Sequence, residues 1–357
     1  MLYRPPLPLG QPKPRTSRLP AALAGLLIVV VLAGAGYWWK QRSGTAAAPS
    51  TTPSDQTAAA TPATPAPAPV PQTLPEFAPA FAVAPRLPPH CEVLLGPSTR
   101  GMVVDLDRQV VLWERDADTP VAVASLTKLM AVTVALELMG RNPALSMATP
   151  VPVSRTAMAT GGTQLWLEAG ASYPLGQLLE AMMIQSANDA AVAVAEFLSP
   201  DTSAAGFVAL MNRRARELGL RRARFYSPHG LPGESAEKDN QVTVRELARL
   251  AVHVRQFPEA RAWAATRRAE FTHQNGKKLS LDNHNRLLGQ VAGVNGLKTG
   301  YTARAGFCMV TTCERQGRTL VAVVTGSGRR EDRDKLVTGL FDWGFAQPTA
   351  LAVAAGR

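Results

Sequence analysis

The sequence predicts an α/β (α+β) fold, with one sheet built from strands near both ends of the folded region and a layer of helices from the chain between them. Three observations lead there. Met102-Val103-Val104-Asp105 and Val110-Val111-Leu112-Trp113, joined through Leu106-Asp107-Arg108-Gln109, read as a hairpin of two strands. Between Leu129 and Val254 the segments 129–139, 175–183, 190–198, 207–218 and 243–254 read as helices, separated by loop-rich stretches at 161–174 and 226–233. Residues 296–302, 306–312 and 319–325 then form three consecutive strand candidates, the last two hinged at Glu314-Arg315-Gln316-Gly317, and Asp334 to Phe345 reads as a closing helix. Strands at both ends with helices in the middle meet most simply in one sheet.

Before that region the chain changes character three times. Residues 1–18 hold Arg4, Lys13, Arg15 and Arg18 and no acid, so a basic tail of +4 comes first. Residues 19–39 carry no charge over 21 positions and close on Tyr37-Trp38-Trp39 followed by Lys40. That length matches a bilayer core, and the aromatics fall where an interface belt belongs. The excess of positive charge ahead of it predicts a single-pass signal anchor in the cytoplasmic (inner) membrane, with the bulk of the chain extracytoplasmic, in the periplasm. A cleaved signal peptide ending near Ala46-Ala47-Ala48 is the alternative, but Trp38-Trp39-Lys40-Gln41-Arg42 is poorly suited to a cleavage region. Residues 40–89 are rich in Pro, Ala and Thr, with 12 prolines between positions 44 and 89, and read as an extended disordered linker. At about 3.1 Å per residue, positions 44–89 would hold the domain up to roughly 140 Å from the membrane. The folded domain is expected at 90–345, followed by a short tail, 346–357.

The formal net charge is +11 over 357 residues, but seven of the 38 Lys and Arg precede residue 90. The rest of the chain is only mildly basic, and its arginine clusters (Arg213-Arg214, Arg221-Arg222, Arg329-Arg330) read as a solvated face, so no nucleic-acid partner is expected. Cys308 and Cys313 differ in parity on one strand and should point to opposite faces, and with Cys91 they suggest no disulfide framework. The five histidines have no helical i, i+4 pairing and no Cys-x-x-Cys companion, so neither a metal nor a cofactor is expected.

Chemistry concentrates at three places. Ser125 and Lys128 are three residues apart where an apolar helix begins, which puts a nucleophile and a possible base on one face. Loss of water and the positive end of the helix dipole both lower the pKa of such a lysine. The plainer reading is a serine cap and a snorkelling lysine. Ser186 and Asn188 flank one residue in a tight turn between two apolar helices, so their side chains can project together, although Ser and Asn are common turn residues anyway. Lys298-Thr299-Gly300 sits on a strand candidate.

These elements, in that order, resemble the serine penicillin-recognising enzymes. Ala124-Ser-Leu-Thr-Lys-Leu-Met130, Gln185-Ser-Ala-Asn-Asp-Ala-Ala191, Pro228-His-Gly-Leu231 and Asn295-Gly-Leu-Lys-Thr-Gly-Tyr-Thr302 are similar to the low-molecular-mass D-alanyl-D-alanine carboxypeptidases. The resemblance spans about residues 90–345. It implies a five-stranded antiparallel sheet with helices on both faces and a helical subdomain, as in β-lactamases and DD-peptidases. It also implies hydrolysis of the terminal D-Ala-D-Ala bond of peptidoglycan stem peptides, with β-lactams as covalent inhibitors. By the same resemblance Ser125 is the nucleophile and Lys128 its base, Ser186 relays the proton, and Asn188 holds Lys128 and the substrate. Lys298, Thr299 and Gly300 meet the substrate's carboxylate and backbone, and the amides of Ser125 and Tyr301 hold the oxyanion.

Two departures from the pattern stand out. Many relatives add a β-rich domain and an amphipathic C-terminal helix, whereas here the expected last helix is followed by some twelve residues. The N-terminal segment would then supply the anchoring, and the shorter architecture also suits a D,D-endopeptidase acting on cross-links. Ser227 precedes Pro228 where Asn is usual. A class A β-lactamase would need a glutamate and asparagine to activate the deacylating water, and Glu237 with Asn240 is the nearest candidate pair, at the wrong spacing. A catalytically silent peptidoglycan-binding module is the non-enzymatic alternative.

Overall fold

The computed structural model describes residues 73–81 and 85–348. The expected basic tail and membrane helix lie outside these residues, as do the linker up to residue 72 and the end of the chain. Among the described residues no helix is long and apolar enough to cross a membrane.

In chain order the elements are β1 (Ala78–Pro79), α1 (Pro89–Glu92), β2 (Arg100–Asp105), β3 (Val110–Arg115), β4 (Val121–Ala122), a 3₁₀ turn (Ala124–Leu126) and α2 (Thr127–Arg141). There follow β5 (Pro150–Pro152), α3 (Arg155–Ala159), β6 (Ser172–Pro174), α4 (Leu175–Ile184), α5 (Asn188–Leu198), α6 (Ala204–Glu217), β7 (Gln241–Val242) and α7 (Val244–Val254). The chain returns through α8 (Pro258–Ala265), β8 (Arg268–Thr272), β9 (Lys278–Asp282), β10 (Val294–Thr302), β11 (Gly306–Arg315) and β12 (Arg318–Ser327) to α9 (Arg330–Ala346).

Strands from the two ends of the domain do meet, since β12 pairs antiparallel with β2 and joins the early hairpin to the late meander. The sheet order is β1-β3-β2-β12-β11-β10. This corrects the expected strand count from five to six. The sixth, β1, pairs parallel with β3 and comes from residues assigned to the disordered linker. Leu74, Phe77 and Ala80 are buried with it, and the Arg249 guanidinium on α7 donates to the carbonyls of Leu74 and Pro75. Its two residues show no periodicity of their own, so only the open edge of β3 defines them as a strand.

Successive residues of the central strands enter two separate cores. Met102, Val104, Val321, Val323 and Cys308 pack toward the helices α2, α4, α5 and α7, while Val103, Ala322, Val324 and Cys313 pack against Leu336, Val337, Leu340 and Phe341 of α9. Cys308 and Cys313 therefore occupy opposite faces, as their parity requires. α2 is buried from Thr127 through Leu136 and forms the centre of the helical layer. Its N-terminus points at the edge strand β10, and the cleft opens between them.

Candidate active site

The approach of α2 to β10 depends on a glycine. A Cβ at Gly300 would sit 3.0 Å from both the Ser125 amide nitrogen and the Val123 carbonyl oxygen, so a side chain here would push the two apart by a few tenths of an ångström. Ser125 lies in the 3₁₀ turn before α2, not within the α-helix. Its hydroxyl makes no capping hydrogen bond, which removes the reading of Ser125 as a helix cap.

Lys128, in the first turn of α2, is fully buried. Its Nζ lies 3.2 Å from Ser125 Oγ, 2.7 Å from Asn188 Oδ1 and 2.9 Å from the His229 carbonyl oxygen. This set suits either protonation state. An ammonium donates to all three oxygens, whereas a neutral amine donates to Asn188 and His229 and accepts from the Ser125 hydroxyl. Burial, and then the positive charge of Lys298, push the lysine well below its ordinary pKa, with Asp189 opposing. Snorkelling is thereby excluded.

The partners of Lys128 are themselves fixed. Asn188 is the first residue of α5 rather than part of the preceding turn; its Nδ2 donates to the Gly161 carbonyl and its amide to that of Thr163. Asp189, also buried, accepts from the amides of Leu165, Leu167 and Ala190 and so clamps the loop beside the cleft. Ser186 sits between α4 and α5 at φ 67°. Its Oγ is buried with no hydrogen-bond partner, and the residue lines the cleft.

His229 holds its carbonyl toward Lys128 through a turn that requires Gly230. There φ is 85°, and a Cβ would collide with the Ala124 carbonyl. The imidazole Nδ1 accepts from the Leu231 amide, and burial followed by the Lys128 charge pushes it down to about 3, so it is neutral. Ser227 Oγ accepts from the Gly230 amide in the same turn, at the position where the sequence departs from the usual asparagine. Asn240 ties that loop to α2: its Nδ2 donates to Thr127 Oγ1 and its Oδ1 accepts from the amides of Tyr226 and Ser227. Glu237 is exposed in a short 3₁₀ turn. The glutamate–asparagine pair considered for a β-lactamase is therefore not a pair, because Asn240 is structural and Glu237 faces solvent.

The cleft has a volume of about 390 Å³ and is lined by Ser125, Ser186, Thr299, Gly300 and Tyr301 together with Arg330 and other basic residues. Lys128 and Asn188 lie behind Ser125. Tyr301 is more than half exposed and stacks on Phe307 with ring centroids 4.2 Å apart. Lys298 is buried, with its Nζ 3.2 Å from the Thr299 carbonyl. Burial, then the Arg333 charge, hold it down to about 7.

Sequence reasoning missed His284, Arg286, Arg330 and Arg333, all of which line the cleft. Arg330, read as part of a solvated face, starts α9 and lies over the Phe307 ring at 5.8 Å. The connection from β9 to β10 brings His284 and Arg286 to the site, and the turn from β12 into α9 brings Arg330 and Arg333; desolvation and then the Lys298 charge push the His284 imidazole down to about 4, so it is neutral. Among the lining residues the sole carboxylate is Asp282, which Arg268 engages at 2.7 Å.

A hydroxyl touching a buried amine, a second unpartnered hydroxyl, a close-packed edge strand and a ring of cations make a site for nucleophilic attack on the carbonyl of an anionic substrate. Known proteins agree in kind. Residues 97–328 match the family described as D-alanyl-D-alanine carboxypeptidase. The chain is 31% identical over 246 residues to the D-alanyl-D-alanine carboxypeptidase DacF of Bacillus subtilis, an alignment covering 69% of this chain and 61% of the relative. It is 32% identical over 254 residues to DacC of Escherichia coli, covering 68% and 60%. The chain thus spans about three fifths of the length of these curated relatives. Among solved structures, penicillin-binding protein D2 of Listeria monocytogenes in its ampicillin-bound form matches with a TM-score of 0.60 at 30% identity, covering 69% of this chain and 96% of that one.

Proposed function

Because the chain belongs to the D-alanyl-D-alanine carboxypeptidase family, we propose that it is a serine-type hydrolase removing the terminal D-Ala from peptidoglycan stem peptides through an acyl-enzyme on Ser125. The observation that carries this reading is the contact of Ser125 Oγ with a buried Lys128 amine held below its ordinary pKa. Ser125 attacks the carbonyl of the penultimate D-Ala while neutral Lys128 takes the hydroxyl proton. The oxyanion is received by the backbone amides of Ser125 and Tyr301. Ser186 relays the proton from Lys128 to the departing amine, which leaves both groups neutral, and D-Ala leaves. Water then attacks the ester and gives up its proton to Lys128, and Ser125 regains its hydroxyl. Lys298, Thr299 and Arg330 face the substrate's terminal carboxylate. No step calls on a metal or cofactor.

A β-lactam offers the same carbonyl and should acylate the same serine. The cleft's only carboxylate is already paired, which supports slow release of that adduct and argues against a β-lactamase. We propose further that residues 19–39 anchor the chain in the cytoplasmic membrane with the domain outside, as their apolar length, aromatic flank and basic tail suggest. The deciding experiment incubates the full chain in detergent with fluorescent penicillin and, separately, with a pentapeptide ending in D-Ala-D-Ala. Labelling and D-Ala release should both vanish in Ser125→Ala, and persistent labelling of that variant would remove Ser125 as nucleophile. Proteolysis of intact cells against permeabilised ones reports which side the domain occupies.

A further inference from the structure

A second cavity, of about 720 Å³, continues from the cleft and shares Asp282, Asn283 and Arg286 with it. Its walls add Arg267, Arg268, Asn285 and Gln290. The segment that builds it is tied down. Asn283 Nδ2 donates to the Thr266 carbonyl, Asn283 Oδ1 accepts from the Asn285 amide, and Asn285 Nδ2 donates to Thr311 Oγ1 on β11. Arg267 lies across Gly289, where φ is 71° and a Cβ would come within 3.0 Å of its Nη1 and 3.2 Å of its Cδ. The arginine thus rests against the Gly289 backbone along one side while remaining exposed, as Arg286 also is.

Charge in this trough is unbalanced. Asp282 is the one carboxylate lining either cavity, and it is engaged by Arg268. The Arg267 and Arg286 guanidiniums have no hydrogen-bond or ion-pair partner among the described residues. Two exposed, unpartnered planar forks beside a wall whose backbone Asn283 and Asn285 tie down match carboxylates, which guanidinium binds bidentately. The terminal carboxylate of the substrate is already served by Lys298, Thr299 and Arg330, and a departing alanine is far too small to need a further 720 Å³.

We propose that the trough around Arg267 binds a second carboxylate of the substrate, so that the enzyme selects peptides carrying an acidic arm beyond the terminal D-Ala-D-Ala pair. That arm belongs either to the same stem peptide or to a second stem joined to it by a cross-link. The inference rests on the peptidase reading, and its test separates the two.

The full chain and its Arg267→Ala and Arg267→Glu variants are assayed on three substrates: an N-acetylated tripeptide ending in D-Ala-D-Ala with no other acid, a stem pentapeptide with a free acidic group, and a cross-linked muropeptide dimer. The variants should lose tenfold or more in kcat/KM on at least one acidic substrate, Glu more than Ala, and change less than twofold on the tripeptide. A loss on the pentapeptide assigns the trough to the stem's own carboxylate, and a loss confined to the dimer assigns it to the second stem. Equal effects on all three substrates, or none on any, overturn the inference and leave the peptidase standing. Failure of the unaltered chain to cleave any of them removes both.

Discussion

Asn188 Oδ1 lies 2.7 Å from Lys128 Nζ while its Nδ2 is bonded to the Gly161 carbonyl, so one carboxamide fixes the amine and the loop across from it. Replacing it by alanine takes away one of three acceptors of a buried amine and unties the loop. Asn188→Ala should reduce kcat/KM about 100-fold, equivalent to about 2.7 kcal/mol, and slow penicillin acylation in parallel. Asn188→Asp should act differently. A carboxylate at this distance raises the Lys128 pKa and moves the acid limb of the kcat/KM profile to higher pH. Superimposable profiles for Asn188→Asp and the unaltered chain would show that Lys128 does not set that limb.

The alkaline limb should belong to Lys298. Its amine is held down to about 7 by burial and the nearby Arg333, so it is discharged over a range in which an ordinary lysine stays charged. Since the carboxylate of the substrate wants the ammonium form, kcat/KM should fall as pH rises past about 7. Lys298→Arg, which cannot discharge in that range, should flatten the limb even where the maximum rate is lower. The same shift acts on folding. With the folded pKa below the unfolded one, the unfolded chain binds more protons between the two values, so stability attributable to Lys298 rises with pH from about 7 upward. Bound substrate, by neutralising the site, should displace the kcat limb to higher pH than the kcat/KM limb. An unchanged limb in Lys298→Arg would assign it elsewhere.

How much of this was legible in the sequence follows from what each feature depends on. Ser125 with Lys128 is a local pair, and its juxtaposition needs only the geometry of the helix start. Strand parity placed Cys308 and Cys313 on opposite faces for the same reason. Features defined by a partner far along the chain were not legible. β1 is a strand only because β3 has an open edge, Arg330 reaches the cleft only through the sheet order, and the His229 carbonyl points at Lys128 only because Gly230 packs under Ala124. Asn240 stood in the sequence only as half of a wrongly spaced β-lactamase candidate pair, and its clamp on Thr127 appears only when residues 113 apart meet.

Gly300 tests whether spacing between the serine turn and β10 matters independently of any functional group. In Gly300→Ala the added methyl would stand 3.0 Å from the Ser125 amide and 3.2 Å from Ala124 Cβ, forcing the strand away by a few tenths of an ångström. The strand is at the sheet edge, so it can give without unfolding. Activity should fall at least tenfold, since misplacing an oxyanion donor costs about 10²–10³ in rate, while the melting temperature drops by only a few degrees. A variant that melts early and retains its rate when cold would mean that the glycine serves folding alone.

The segment from Thr73 to Phe81 provides the remaining test, because sequence composition and structure disagree about it. Leu74 and Phe77 are both less than one tenth exposed, Ala80 donates its amide to the Val111 carbonyl, and Arg249 on α7 is engaged by the carbonyls of Leu74 and Pro75. Burying a leucine or phenylalanine side chain contributes about 1.5–3 kcal/mol each, and buried Arg249, losing the Leu74 and Pro75 carbonyls while keeping that of Gly219, adds to the loss. A soluble domain begun at residue 90, as the composition suggests, should therefore be about 3–5 kcal/mol less stable in urea than one begun near residue 70. Arg249→Ala in the longer form should reproduce only part of that loss, because it leaves the two apolar side chains in place. The active-site cleft lies at the far edge of the sheet from β1, so the shorter form should keep its acylation rate at low temperature. Equal urea midpoints for the two forms would mean that the strap is passive and the domain begins where its prolines end.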